Sequence, residues 1–264
     1  MKKIAKILAI VMIVALAVTA FCACGDKNNG ANYETTAPAG DQAPAEKLIM
    51  GTNAAFPPYE YYEGEKIVGI DAEVAALIAE KLGMELEIKD MDFGGIISAV
   101  QNGVVNMGMA GMTVNEERLL SVDFSTSYAK GIQVVIVKEN SNIATLDDLA
   151  GKLIGVQEAT TGDIYSTDDF GEESVKRYTN GAAAVAALQS GIVDAVIIDN
   201  EPAKAFVAAN DGLAILETAY AEEDYAIAVA KGNTDLLNKI NNALAELTAD
   251  GSIQAIVDKY IPAE

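Results

Sequence analysis

The sequence predicts an α/β fold arranged as two lobes. Three observations carry this. Short apolar runs alternate with helical patterns from Leu48 onward, the alternation starts afresh at Ile132, and one stretch recurs 88 residues later. Strands alternating with helices favour a largely parallel sheet covered by helices. The 264 residues allow one large domain or two small ones. At 51% hydrophobic and 22% charged, the chain has a globular composition.

Taken in order, Lys2, Lys3 and Lys6 precede an apolar run over 7–21. A basic start, a short apolar stretch and small residues describe a secretory signal, residues 1–23. The run falls short of the ~20 apolar residues that span a bilayer. Ala23-Cys24-Gly25 resembles the lipobox of bacterial lipoproteins, which implies cleavage before Cys24 and lipidation of its thiol. The alternative is a plain signal peptide. Since one acyl chain anchors only marginally, a stable anchor at Cys24 takes a second. With Cys22 removed and Cys24 modified, no thiol remains for a metal or a disulfide. Residues 24–46, rich in Asn, Ala, Pro and Gly, read as a flexible tether, about 70 Å long when stretched.

The folded part opens with a strand at 48–50. A helix over 71–82 follows, with Val74, Leu77, Ile78 and Leu82 on one face and Asp71 as its N-cap. A strand at 85–88, a helix at 95–101 and a strand at 105–109 come next. After the restart, strands are expected at 132–137, 153–156, 174–178, 195–198 and 225–229. Helices are expected at 162–169, 182–189, 201–209, 234–249 and 252–260.

The repeat aligns Ala99-Val100-Gln101-Asn102-Gly103-Val104-Val105-Asn106 with Ala187-Leu188-Gln189-Ser190-Gly191-Ile192-Val193-Asp194. Each copy reads as a helix ending at a left-handed Gly, then a buried strand. Chance similarity of two amphipathic units is the alternative. If the copies are equivalent, Gly111 corresponds to Asp199. Both then follow the carboxyl end of a strand, where open α/β sheets bind ligands.

Composition excludes some functions. With 39 acidic and 18 basic residues the net charge is −21, so no basic footprint for nucleic acid exists. Zero His removes a Ser-His-Asp triad and a His-rich zinc site.

A set of motifs in fixed order then points to a family. They are Gly51-Thr52-Asn53-Ala54-Ala55-Phe56-Pro57-Pro58-Tyr59-Glu60, Gly69-Ile70-Asp71-Ala72-Glu73, Met91-Asp92-Phe93, Ala110-Gly111-Met112-Thr113-Val114-Asn115-Glu116-Glu117-Arg118 and Val122-Asp123-Phe124-Ser125. The chain resembles the bacterial extracellular solute-binding proteins of polar amino-acid ABC transporters. The resemblance implies a type II periplasmic-binding-protein-like fold, with two Rossmann-like lobes joined by two hinge strands and a ligand cleft between them. Lobe 1 would be 47–129 plus 229–264 and lobe 2 133–225. The hinges would lie near 129–132 and 224–227.

A zwitterion makes chemical demands. Its carboxylate wants a guanidinium and backbone N–H donors, and its ammonium wants a carboxylate. The resemblance places Arg118 on the α-carboxylate, beside Ala110, Gly111 and Thr113. The alternative is a surface arginine paired with Glu116 or Glu117. It places Asp199 on the α-ammonium. Here the alternative is a helix N-cap, although Asn200 is available for that. Gln157, Thr160 and Thr161 fall in the second-lobe binding loop, with Ala159 where the family often has Gly; a plain Thr N-cap is the alternative. Phe56 and Phe93 take the family's aromatic clamp positions, against core packing as the alternative. Asn53 stands where many relatives carry Asp. Asp71 and Glu73 read as helix-start residues, and Glu158 and Asp163 could lie near the ligand's side-chain end.

The function so implied is a monomeric, lipid-anchored protein on the outer face of the cell membrane. It would capture a free polar or basic L-amino acid of the arginine, lysine or glutamine type and deliver it to an ABC importer's permease. It would use no cofactor or metal, bind no nucleic acid and do no chemistry. Two alternatives are a prephenate/arogenate dehydratase-like enzyme on the same fold, with Glu158 and Asp163 as acid–base groups, and a sensor subunit.

Overall fold

The computed structural model describes residues 46–217 and 219–262. The expected signal peptide, Cys24 and the tether up to residue 45 lie outside the described residues.

The chain builds β1 (Lys47–Thr52), β2 (Ala55–Phe56), β3 (Glu60–Glu63), β4 (Lys66–Val68), α1 (Ile70–Leu82), β5 (Glu85–Asp90), α2 (Phe93–Gln101), β6 (Met107–Gly108), α3 (Glu116–Ser121) and β7 (Val122–Phe124). It continues with β8 (Ala129–Lys138), β9 (Ile154–Gln157), α4 (Thr161–Phe170), β10 (Val175–Tyr178), α5 (Gly181–Gln189), β11 (Ala195–Asp199), α6 (Asn200–Ala209), β12 (Leu213–Ile215) and β13 (Ala221–Tyr225). It closes with β14 (Ala228–Ala230), α7 (Thr234–Ala249) and α8 (Ser252–Tyr260).

Two sheets make two lobes. The first has strand order β5-β1-β6-β14-β7, with β1 parallel to both β5 and β6. The second has order β10-β9-β11-β8-β12, with β13 on the same edge of β8 as β12. A small antiparallel sheet, β2-β3-β4, accompanies the first lobe. The chain passes between the main sheets twice: over 125–128, just before the expected 129–132, and at 226–227. The passages lie side by side, because β8 pairs antiparallel with β13 from Ala129 opposite Tyr225.

Burial on both faces explains the apolar run of β8. Val134 and Ile136 pack with Ala184 and Leu188 of α5, while Val135 and Val137 pack with Ile154, Val156 and Ile197 on the other side. A strand covered on both faces reads as continuous apolar residues rather than an alternation.

Several expectations are corrected. The strand expected over 225–229 is two strands in different sheets, β13 and β14, because the chain changes lobe between them. The strand expected at 105–109 shortens to β6. Asp71 does not cap α1: Gly69 holds the N-cap position and Asp71 lies inside the first turn, wholly buried. Asn200 does not cap α6 either, since the helix includes it and its amide donates to Glu201. The short elements β2–β4, α3, β7 and β12 carry too few residues to show a period.

Gly69 is the tightest point in the first lobe. Its φ of 123° and ψ of −179° lie in a region open essentially to Gly alone. A Cβ there would come within 2.2 Å of the Tyr59 carbonyl oxygen, and backbone cannot yield as a side chain can. Gly69→Ala is expected to destabilise the protein by ~2–4 kcal/mol, read from urea unfolding. Unchanged stability would show that the Tyr59–Gly69 approach is not a constraint.

Candidate functional site

The repeat is structural. α2 and α5 end in the same pair of backbone bonds beyond their last residues. Gly103 N–H donates to Val100 O at 3.1 Å and Val104 N–H to Ala99 O at 2.9 Å. Gly191 and Ile192 do the same to Leu188 and Ala187, at 3.0 and 2.9 Å. Both glycines are left-handed, at φ 68° and 73°, which makes each end a Schellman cap. Next, Asn106 clips the first strand by accepting Ile49 N–H at 2.7 Å, and Asp194 does so with Leu153 N–H at 2.9 Å. β6 and β11 then enter their sheets in the same register beside β1 and β9. Gly111 and Asp199 therefore sit at equivalent strand ends, one in each lobe.

These ends meet at one cavity of about 320 Å³, its open mouth included. The first lobe supplies Asn53, Phe56, Phe93, Ala110, Gly111, Thr113 and Arg118 to its wall. The second supplies Gln157, Thr160, Thr161 and Asp199. The eleven residues that the resemblance assigns to the ligand thus face one space, together with Glu60, which was not among them.

Arg118 is the only buried cation among the described residues, with 6% of its surface exposed. It is no surface arginine paired with Glu116 or Glu117. Asn115 caps its short helix by accepting Arg118 N–H at 2.8 Å, which turns the side chain inward. Its guanidinium lies over the Phe93 ring, 5.2 Å from the centroid. It donates to the Thr113 carbonyl at 2.7 Å and, across the cleft, to the Ala159 carbonyl at 2.9 Å. A guanidinium has five N–H donors, so others remain for a carboxylate. Burial pulls its pKa below the usual arginine value, and the negative charge of Glu223 opposes this.

The second-lobe loop is held from below. Thr160 caps α4, its hydroxyl accepting Asp163 N–H at 3.3 Å and donating to Gln157 O at 2.8 Å. The N-cap reading is therefore correct for Thr160, which lines the cavity as well. Ala159 takes a left-handed φ of 65°, the conformation that favours Gly, and Asp163 steadies it by accepting its N–H at 3.0 Å. Gln157 reaches across the cleft and donates to Asn53 Oδ1 at 3.0 Å, while Asn53 donates to Met91 O at 2.9 Å.

Asp199 makes no capping bond, although it precedes α6. It accepts a short hydrogen bond from the Tyr225 hydroxyl instead. Burial pushes its pKa up to about 7, the negative charge of Glu223 adds to this, and the Tyr225 bond opposes it. The site thus pairs a guanidinium from one lobe with a carboxylate from the other across a small space, an arrangement that can hold both ends of a zwitterion.

Comparison with known proteins identifies the family. The family model for bacterial extracellular solute-binding proteins, family 3, matches residues 48–263. The chain belongs to that family. It is 33% identical to the arginine-binding extracellular protein ArtP of Bacillus subtilis, over 97% of this chain and 98% of that protein. An ancestral arginine-binding protein bound to glutamine superposes with a TM-score of 0.79 at 42% identity, covering 82% of this chain and 98% of that one. The arginine-, lysine-, histidine-binding protein ArtJ from Geobacillus stearothermophilus gives a TM-score of 0.79 at 35% identity, over 83% and 96% of the two chains.

Within this family-3 protein, two expected residues stay out of the cavity. Asp163 is tied to Arg177 by a 2.9 Å ion pair beneath the loop. Glu158 is exposed and borders a separate cleft with Asp92 and Thr179. Neither can act on a ligand in the cavity, which removes the acid–base pair of the dehydratase alternative.

Sequence reasoning also missed a buried acid layer. Glu60 lines the cavity with no exposed surface. Asp71 accepts Gly111 N–H and the Tyr128 hydroxyl, each at 2.8 Å. Glu223 accepts from Thr113 and Gln133 at 3.0 and 2.9 Å. Glu60 stood inside a quoted motif without a role, and Asp71 was read as a helix-start residue. Glu223 was not singled out; strand alternation puts it on the same face as buried Tyr225.

The raised pKa of Asp199 fixes the sign of a pH effect. A carboxyl that holds its proton more tightly when folded stabilises fully below its unfolded value, about 3.9. That contribution is lost as pH rises through about 7. Asp199→Asn keeps an acceptor for Tyr225 without the charge. Its stability relative to wild type should therefore improve by a few kcal/mol, on the order of the linkage limit, between about pH 4 and pH 8. Thermal melts across that range check it; parallel profiles for the two proteins would show that Asp199 does not titrate there.

Proposed function

We propose that this protein captures a basic L-amino acid of the arginine type outside the cytoplasm and hands it to the permease of an ABC importer. It does no chemistry on the ligand. The observation that carries the reading is the charge pattern of the cavity: Arg118 on one lobe faces Asp199 on the other, with Glu60 in the same wall. The ligand carboxylate would take the free N–H groups of Arg118, aided by Thr113 and the backbone at Ala110 and Gly111. Its ammonium would go to Asp199. Its cationic side chain would run between Phe56 and Phe93 toward Glu60, with Asn53, Gln157, Thr160 and Thr161 closing the polar rim. The lobes, 47–129 plus 229–264 and 133–225, would close around it.

Support for the basic class comes from physics and from relatives. Four buried carboxylates, Glu60, Asp71, Asp199 and Glu223, surround a single buried guanidinium among the described residues. Buried charge of one sign calls for a partner of the other. An arginine brings two positive groups and one negative. The relatives ArtP and ArtJ carry arginine in their names, and glutamine in the ancestral protein shows that a related site accepts a neutral amide as well.

The lipobox-like Ala23-Cys24 supports anchoring of a monomer to the outer membrane face through Cys24. Cys24→Ser should move the protein from the membrane fraction to the soluble extracellular fraction, as a blot of the fractions reads; an unchanged distribution would remove the anchor from the account.

Isothermal titration against the twenty amino acids tests the binding function. L-arginine should give the strongest heat, and Arg118→Ala should weaken it by about 100-fold or more, because it leaves the ligand carboxylate buried without its partner. Folded protein giving heat with no amino acid would end the reading, and full affinity in the variant would remove Arg118 from it.

A further inference from the structure

Glu60 on β3 lines the cavity and Asp71 in the first turn of α1 lies beside it, both with 0% exposure. Asp71 Oδ2 is satisfied by Gly111 N–H and by the Tyr128 hydroxyl. Three other oxygens are not: Glu60 Oε1, Glu60 Oε2 and Asp71 Oδ1 are buried with no hydrogen-bond partner. All three are carboxyl oxygens, so what they lack is a donor. Two carboxylates cannot satisfy each other, whereas one proton between them makes a hydrogen bond and removes one of two repelling charges.

We infer that Glu60 and Asp71 share one proton, and that displacing it makes the cavity select a cationic side chain over a neutral one of the same shape. This rests on the basic-amino-acid reading of the site. The surroundings agree. Asp90 from β5, Asp199 from β11 and Tyr59 add negative or weakly acidic groups near the pair, and Tyr128 donates to it from the chain passage. Arg118 is the cation that lines the same cavity, and the other acid of this turn, Glu73, is paired outward with Lys259. Burial pushes Glu60 well above the carboxylate range, with Asp71 adding to it, and burial pushes Asp71 up to about 6.

The proton balance is simple. A ligand guanidinium arriving at Glu60 supplies positive charge and N–H donors, and the shared proton leaves to water. A neutral ligand supplies no charge, so the proton stays. The ratio of cationic to neutral affinity therefore rises with pH, by up to about ten-fold per unit while the pair holds its proton. Asp199 meets the ammonium of either ligand, so its own titration cancels in the ratio.

L-arginine and L-citrulline, which has a neutral ureido group in place of the guanidinium, make the comparison. Their affinities, with citrulline measured by competition, should diverge as pH rises from about 5.5 to 8 in wild type and keep a constant ratio in Glu60→Gln. A ratio independent of pH in wild type, or the same slope in the variant, would overturn the inference. Infrared spectra keep the test decisive if Glu60→Gln binds poorly. Wild type near pH 7 should show a protonated-carboxyl band that L-arginine abolishes and that the variant lacks in part. A wild-type spectrum that bound L-arginine leaves unchanged would overturn it. If neither ligand binds, the reading of the site fails, while a protonated-carboxyl band weakened in ligand-free Glu60→Gln still supports proton sharing and an undiminished band refutes it.

Discussion

The structure depends on a surplus of buried negative charge around one guanidinium. Carboxylates are costly to bury, and the fold holds four of them near a single cleft by giving each a specific donor or neighbour. Asp199 has the Tyr225 hydroxyl, Asp71 has Gly111 N–H and Tyr128, and Glu223 has Thr113 and Gln133. Arg118 is bound to two carbonyls rather than to an acid. The protein thus keeps its one buried cation among the described residues apart from the buried acids, each able to face a third body. This separation is what suits a buried polar cluster to holding a zwitterion.

The duplicated unit explains how the charges come to face each other. In both lobes a nine-residue helix ends in a Schellman cap, an Asn or Asp clips the neighbouring strand, and the next strand delivers its end to the cleft. One copy delivers the Gly111 turn, whose N–H groups lead to Thr113 and Arg118. The other delivers Asp199. Tyr225 stands where the chain returns to the first lobe, so the hydroxyl that orients Asp199 comes from the junction itself. Gly131 in β8 makes room for it, since a Cβ there would meet the Tyr225 hydroxyl oxygen at 2.2 Å. Asp199 and the junction between the lobes are therefore coupled through one side chain.

Much of this was legible in the sequence, for identifiable reasons. Long periodic helices such as α7 and α8 announce themselves, and their bounds match the expected 234–249 and 252–260. The repeat located Gly111 and Asp199 because a Gly after a helix and a polar residue ending an apolar strand are local signals. What stayed hidden was non-local. Nothing near Asp71 says that its carboxylate holds a turn forty residues away, so it read as a cap. The break between β13 and β14 was invisible because the expected strand 225–229 is apolar throughout, and only the change of sheet within it separates the two. Glu60 and Glu223 gave no sign of burial because an acid next to tyrosines or other acids usually faces water.

The most direct measurement is a crystal structure of the protein grown with L-arginine. The account predicts one ligand between the lobes, its carboxylate on Arg118, its ammonium on Asp199 and its guanidinium at Glu60. A ligand lying elsewhere, or one seated in the cleft with Arg118 and Asp199 both turned away from it, would contradict it.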